Sequence, residues 1–156
     1  MSRTSAGVLL YRVRDGALQV LLVHPGGPFW AKKDLGAWSV PKGVVREDEA
    51  PLDAARREFQ EETGTRPDGD FVALSPVRQK GGKTVHAWAV AGDLDPDGIR
   101  SNTFELEWPP RSGRTQAFPE VDRAGWFPLR EARKRILASQ TPLLDELARL
   151  VSDAGT

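Results

Sequence analysis

The sequence predicts an α/β fold in which helices cover a mixed β-sheet. Short apolar runs of strand length alternate with turn signals, and amphipathic helical stretches lie in the middle and at the end of the chain. Because some strands are hairpin neighbours while helices interrupt the order of others, a mixed sheet is expected. With 156 residues, the chain is expected to form a single domain, residues 1–156, around one core.

The predicted strands are apolar or alternating segments bounded by glycine, proline or acidic turn residues. In chain order they are residues 6–12, 18–24, 38–40, 71–74, 85–90, 104–108 and 125–127. Asp15-Gly16 is a tight-turn signal, so the first two strands are predicted to form a hairpin. Pro41 is expected to end the third strand, and the proline-rich segment 109–114 is predicted to be a loop.

The first predicted helix covers residues 51–63. Pro51 suits the first helical position, and Gly64 suits the residue after the last. Its buried face is predicted from apolar residues at helical spacing, namely Leu52, Ala55 and Phe59. Two more helices are predicted to close the chain, the second of them starting at Thr141.

Composition excludes several classes of protein. Lys and Arg together number 22, as do Asp and Glu, so the chain lacks the basic excess typical of proteins that bind nucleic-acid polymers. The absence of cysteine excludes disulfides, zinc–thiolate sites and a cysteine nucleophile. The apolar run at residues 8–11 is too short for a signal peptide or a membrane span. We therefore expect a cytoplasmic protein with no membrane or nucleic-acid polymer partner; the sequence indicates no oligomeric state.

Three glutamates share one face of the first predicted helix. Glu58, Glu61 and Glu62 lie three and four residues apart, so their side chains project together. Like charges this close repel one another, and the C-terminal end of a helix disfavours anions. A cation is expected to offset this charge, either Arg57 or a hard divalent ion such as magnesium, which prefers oxygen ligands. The alternative is an acidic face that is simply solvated.

The segment from residue 43 to residue 64 resembles the Nudix box, a motif of glycines, glutamates and an arginine at set spacing. The residues that fall in register are Gly43, Glu49, Arg57, Glu58, Phe59, Glu61, Glu62 and Gly64. Thr65 is polar where the family usually has an aliphatic residue, and Phe59 is aromatic where an aliphatic residue is usual. The resemblance implies the family's α/β/α sandwich and the hydrolysis of a nucleoside diphosphate linked to another group, with one to three divalent ions.

By the same resemblance, Glu58 and Glu62 are the main metal ligands, and Glu61 is a further ligand or a catalytic group that orients one. The backbone carbonyl of Lys42 is expected to join the metal shell, next to a glycine that permits close approach. Arg57 is expected to pair with a glutamate of the motif and to hold its geometry. The implied cofactor is magnesium, with manganese as the alternative.

Two further acids are candidates. Glu49 is either an orienting or water-mediated ligand, or simply an acid at a helix N-terminus. Glu120, just before the strand at 125–127, is the candidate general base, because many relatives carry a glutamate there; the alternative is an exposed loop acid. Glu105 and Glu107 are weaker candidates, since strand alternation alone explains them.

The segment that leads into the motif bears on the substrate. Trp38, Pro41, Lys42 and Gly43 resemble a branch that cleaves dinucleoside polyphosphates and diphosphoinositol polyphosphates. Lys42 is a candidate phosphate contact, and Trp30 could stack on a base. The expected partner is a small-molecule nucleotide, either a dinucleoside polyphosphate or a nucleoside triphosphate. Sanitation of oxidised nucleotides and a non-catalytic nucleotide-sensing module are the alternatives.

Overall fold

The computed structural model describes residues 4–79 and 81–154, with side chains up to residue 152. Its strands are β1 (Thr4–Arg14), β2 (Ala17–Pro25), β3 (Lys42–Val44), β4 (Val72–Ala73), β5 (Val77–Arg78), β6 (Thr84–Ala91), β7 (Thr103–Glu107), β8 (Thr115–Pro119) and β9 (Val121–Pro128). Its α-helices are α1 (Pro51–Thr63), α2 (Leu129–Arg135) and α3 (Thr141–Ala154). Short 3-10 turns lie at Pro96–Gly98 and Ala138–Gln140.

The main sheet has seven strands, and its central order is β4-β6-β1-β2-β9. β3 pairs with β1, and β5 pairs with β6. β1 and β6 run parallel, whereas the other pairs in this sheet are antiparallel, so the mixed sheet is confirmed. β7 and β8 form a separate two-stranded ribbon.

The two faces of the main sheet are covered by different helices, which confirms the sandwich. Alternate side chains of a strand point to opposite faces. One face therefore packs Val8 and Leu10 against Ala55 and Phe59 of α1. The other face packs against α2 and α3, and its buried cluster includes Leu9, Val20, Leu22, Ala132, Leu143, Leu144 and Leu147.

Several local predictions are confirmed. Asp15 and Gly16 both have positive φ, 54° and 76°, as a two-residue hairpin turn requires. α1 starts at Pro51 and ends before Gly64, whose φ of 81° is left-handed and whose N–H bonds to the carbonyl of Gln60. Among the described residues, no helix is long and apolar enough to cross a membrane.

Two local predictions were wrong. Residues 38–40 make only isolated bridges, and the strand lies after Pro41, at Lys42–Val44. Pro41 does not stop pairing there, because its carbonyl still accepts a hydrogen bond from the N–H of Val8. β8 was not predicted, because its sequence TQAFP lacks the apolar alternation of a half-buried strand.

Candidate metal and catalytic centre

Helix α1 carries the candidate site on one edge of its buried face. Ala54, Ala55, Phe59 and Thr63 are buried against the sheet. Glu58 and Glu62 lie one turn apart beside this apolar stripe and are therefore held at the border between the core and solvent. The helix has no side-chain cap at Ala50 and no basic residue in its last turn. Residues at the helix ends therefore do not offset the negative charge of the glutamates.

Three carboxylates converge at this edge. Glu58, Glu62 and Glu120 each offer an oxygen, and these oxygens lie within 4.8 Å of one another. In the part of the chain that the structure describes, no other trio of acidic or histidine side chains meets in this way. The geometry suits a hard divalent cation, because such ions are bound by a few carboxylate oxygens.

The backbone around Glu120 is fixed by hydrogen bonds to two distant segments. Glu120 lies between β8 and β9. Its N–H donates to the carbonyl of Asn102 at 2.8 Å, and its own carbonyl accepts from the N–H of Gly26 at 2.9 Å. The position of this side chain beside α1 therefore depends on pairing that is remote in sequence.

Electrostatics at the convergence point favours a bound cation. Burial raises the pKa of Glu62 to about 8, and the negative charges of Glu58 and Glu120 add to this rise. Lys42 offsets part of it. The pKa of Glu120 is also raised, first by burial and then by Glu58 and Glu61. Without a cation, the surroundings thus favour the protonated form of Glu62 over a further negative charge.

Gly43 lets the backbone of β3 lie directly against this centre. A Cβ placed on Gly43 would overlap the Glu58 carboxylate, so no larger residue fits without displacing that side chain. The neighbouring residue Lys42 is largely withdrawn from solvent, which lowers the pKa of its ammonium group; Lys83 acts in the same direction. The role of the Lys42 carbonyl as a metal ligand stays a prediction.

A second set of carboxylates on the same motif is held by Arg57. The guanidinium donates to both carboxylate oxygens of Glu49, at 2.8 and 3.0 Å. It also donates to Glu61 at 3.0 Å and to Glu58 at 2.7 Å. These bonds lower the pKa of Glu49 to about 2 and raise the pKa of Arg57. Arg57 also bonds the carbonyl of Val44, so it ties α1 to β3.

The structure therefore divides the predicted site residues into two groups. Glu58, Glu62 and Glu120 converge, whereas Glu49 and Glu61 are bonded to Arg57. The pairing of Arg57 with glutamates of the motif follows the expected pattern. The assignments of Glu49 and Glu61 as ligands stay predictions. Of the weaker base candidates, Glu105 and Glu107 are exposed on β7 and do not belong to the converging trio.

A cavity of about 200 Å³ opens beside the carboxylates. Four of the predicted site residues border it, namely Trp30, Lys42, Glu62 and Glu120. Ser39, Val40 and Leu137 complete much of its wall, and sequence patterns did not single them out as site residues. The ammonium nitrogen of Lys33 lies 5.0 Å from the centre of the Trp30 ring, which adds positive charge at the same wall.

Comparison with known proteins places this architecture in a family. A model of the NUDIX domain matches residues 1–147. The RNA pyrophosphohydrolase of Thioalkalivibrio sulfidiphilus is 55% identical over 42 residues, which are 26% of this chain and 24% of that protein. The RNA pyrophosphohydrolase of Bartonella henselae is 37% identical over 68 residues, 41% of this chain and 36% of that protein. The matches to these curated relatives thus span well under half of their lengths.

Solved structures share the fold at low identity. An Ap4A hydrolase of C. elegans, in a binary complex, has a TM-score of 0.66 and 23% identity, with 97% of this chain and 98% of that chain covered. The NUDIX domain of Shewanella oneidensis NrtR, complexed with ADP ribose, has a TM-score of 0.67 and 18% identity, with 97% and 89% covered. Because the family model covers nearly the whole chain, and two glutamates of its motif, Glu58 and Glu62, converge in space, this chain belongs to the Nudix family.

Proposed function

We propose that the protein is a Nudix pyrophosphohydrolase that splits a pyrophosphate bond in a small nucleotide with the help of a divalent cation. Magnesium is the proposed ion, with manganese as the alternative. The observation that carries the proposal is the convergence of Glu58, Glu62 and Glu120, whose charge Lys42 and Arg57 offset only in part. Three carboxylates at this spacing fit an ion that takes oxygen ligands.

Each protein group has a distinct task in this proposal. Glu58 and Glu62 would hold the cation, and the Lys42 carbonyl would be a further protein ligand. A bound divalent ion neutralises phosphate charge and lowers the pKa of the attacking water. Glu120 accepts the proton of that water; its raised pKa brings it closer to the working pH than an ordinary glutamate.

Arg57 stabilises this arrangement through the glutamates that it bonds. Arg57 bonds Glu49 and Glu61 and neutralises their charge. It also bonds one oxygen of Glu58, which leaves the other oxygen of Glu58 for the cation. Glu61 is the alternative base or an additional ligand if its bond to Arg57 opens when substrate binds. Such outer contacts commonly matter for metal affinity.

The cavity is proposed to hold the nucleoside part of the substrate. Trp30 supplies an aromatic face for the base, and Lys42 supplies positive charge for a phosphate. A dinucleoside polyphosphate or a nucleoside triphosphate fits this arrangement. The absence of cysteine agrees with a cytoplasmic location, where thiols stay reduced.

A second candidate substrate is the phosphorylated 5′ end of an RNA, because the curated relatives named above are RNA pyrophosphohydrolases. Against it stands the net charge of zero, which provides no general attraction to a polyanion. Sanitation of oxidised nucleotides uses the same chemistry and differs only in the base. A sensing module without turnover is disfavoured, because the chain retains every glutamate of the motif.

A substrate panel tests these alternatives directly. The purified protein would be incubated with diadenosine tetraphosphate, nucleoside triphosphates, oxidised nucleotides, nucleotide sugars and a triphosphorylated RNA oligonucleotide, each with magnesium, manganese or a chelator. We expect hydrolysis of a small nucleotide only with a divalent ion, read as two mononucleotides from diadenosine tetraphosphate or as a nucleoside monophosphate and pyrophosphate from a nucleoside triphosphate. Turnover of the RNA alone would shift the assignment to the second candidate. Tight nucleotide binding without turnover would favour the sensing module.

A further inference from the structure

His24 is a fully buried histidine with both ring nitrogens engaged. Its Nδ1 lies 2.8 Å from Oδ1 of Asp122, and its Nε2 lies 2.6 Å from the carbonyl oxygen of Lys33. A carbonyl can only accept a hydrogen bond, and so can an ionised carboxylate. His24 therefore links the Asp122 side chain to the Lys33 backbone through its two ring nitrogens.

The two partners of His24 belong to segments that border the candidate site. The N–H of Lys33 donates to the carbonyl of Trp30, so Lys33 closes the turn that carries Trp30. Asp122 lies on β9, two residues after Glu120. The pairing of β2 with β9 shifts register between His24 and Pro25, where an irregular ladder leaves the strands less constrained by regular backbone bonds.

Charged groups from each neighbouring segment act on His24. Asp122 supplies the counter-charge from β9. Arg123, also on β9, lies 3.8 Å from the same carboxylate oxygen, but its side chain is 52% exposed and screened by solvent. The ring of Trp38 meets the imidazole edge-on at 5.3 Å, and Asp34 accepts the indole N–H of Trp38.

We propose that His24 is a positioning residue, which holds the turn of Trp30 and the start of β9 together so that Trp30 and Glu120 border the same cavity. This inference rests on the proposed function, because it assigns Trp30 to substrate and Glu120 to the attacking water. The two ring nitrogens of His24 contact one segment each. Loss of one contact is thus expected to release one segment and leave the other in place.

The link through His24 is measured without any turnover. Hydrogen–deuterium exchange of the backbone amides reports the local order of the Trp30 turn and of the start of β9. We expect faster exchange in one of these two segments when the matching contact of His24 is removed. Unchanged exchange in both segments would overturn the inference. Altered exchange in a protein that turns over no nucleotide would overturn the proposed function instead.

Two variants separate the two bonds. The amide nitrogen in His24→Asn reaches towards the Nδ1 position and keeps a donor for Asp122, whereas the amide in His24→Gln reaches towards Nε2 and keeps one for Lys33. We expect His24→Asn to raise KM about tenfold with a smaller change in kcat, because the Trp30 turn is released. His24→Gln is expected to lower kcat about tenfold with a smaller change in KM. Thermal melting serves as the measure of folding.

Asp122→Asn keeps the inference testable if the His24 variants do not fold, because the Asp122 side chain is partly exposed. It changes the carboxylate that contacts Nδ1 of His24, so kcat is expected to fall several-fold. Asp145→Asn, in the exposed pair with Arg133, is the matched control and is expected to leave kcat unchanged. Altered melting with KM and kcat unchanged in every His24 and Asp122 variant would show a purely structural role and overturn the inference.

Discussion

Two groups of carboxylates from one motif lie in opposite electrostatic environments. Glu49 and Glu61 are bonded to Arg57, and the pKa of Glu49 falls to about 2. Glu62 is buried and meets Glu58 and Glu120 instead; burial first, and then the charges of these two neighbours, raises its pKa to about 8. Glu58 contacts both groups, since one of its oxygens accepts a bond from Arg57. The difference shows that a cluster of acidic residues does not by itself make a metal site; what matters is which carboxylates are buried together with only part of their charge offset by the protein's own cations.

Replacement of Glu62 by Gln is expected to have the largest effect, because it removes a carboxylate from the converging trio. We expect a loss of cation-dependent activity of at least about 100-fold. Even the removal of a group that only hydrogen-bonds a metal ligand commonly lowers metal affinity or activity by about 10–100-fold. Glu105→Gln, on the exposed face of β7, is the isosteric control. Equal rates for Glu62→Gln and the unmodified protein would show that the trio is not the metal site.

Gly43→Ala tests the same centre from the β3 side. Its Cβ would overlap the Glu58 carboxylate and displace it, so a loss of activity of about 10–100-fold is expected, together with weaker magnesium affinity. Gly98→Ala is the control, because its Cβ would meet nothing closer than 3.8 Å and its φ is not positive. Activity and magnesium affinity would be measured by titration. Unchanged affinity in Gly43→Ala would contradict the assignment of Glu58 as a ligand.

Arg57→Lys tests the paired group. Lysine keeps the charge but loses the planar fork, so it cannot bond Glu49 and Glu61 while also bonding Glu58. We expect activity to fall about tenfold, chiefly through weaker metal binding, and the protein to stay folded. Arg133→Lys, in an exposed pair with Asp145, is the matched control. A loss as great as that of Glu62→Gln would mean that Arg57 touches the substrate itself.

The smallest expected effect is on the stability of the folded protein when a chelator removes divalent ions. The pKa of Glu62 is raised from its ordinary 4.5 to about 8, so the folded protein holds a proton that the unfolded chain releases. Stability is therefore expected to fall as the pH rises from about 4.5 to about 8, with a lower Tm at the upper end of this range. Magnesium should reverse the decrease at pH 8, and Glu62→Gln should lack it. A flat Tm profile in Glu105→Gln would contradict this explanation.

The helix at the centre of the site was predictable because its determinants are local. Pro51, Gly64 and the apolar spacing specify its ends and its buried face, and the same geometry places Glu58 and Glu62 together. The hairpin at Asp15-Gly16 was predictable for a similar reason. Short-range steric rules decide both features, so no knowledge of the rest of the chain is needed.

The strand segments near Pro41 and Thr115 were not predictable in this way. Lys42–Val44 becomes a strand because β1 offers it an edge, and Thr115–Pro119 becomes one because β7 lies opposite. Neither segment carries a period-two apolar pattern, since neither buries one face completely. Partner strands, and not intrinsic propensity, decide such pairings.

The local sequence was sufficient to place a row of glutamates on one helix face and to predict that a cation compensates them. Only tertiary structure decided which of them are available to a cation. Arg57 is bonded to Glu49 and Glu61, whereas Glu120, just before β9, lies beside Glu58 and Glu62. The position of Glu120 depends on its backbone hydrogen bonds to Asn102 and Gly26. Contacts between residues so far apart in the chain have no local signal, and they form only when the sheet and the helix pack together.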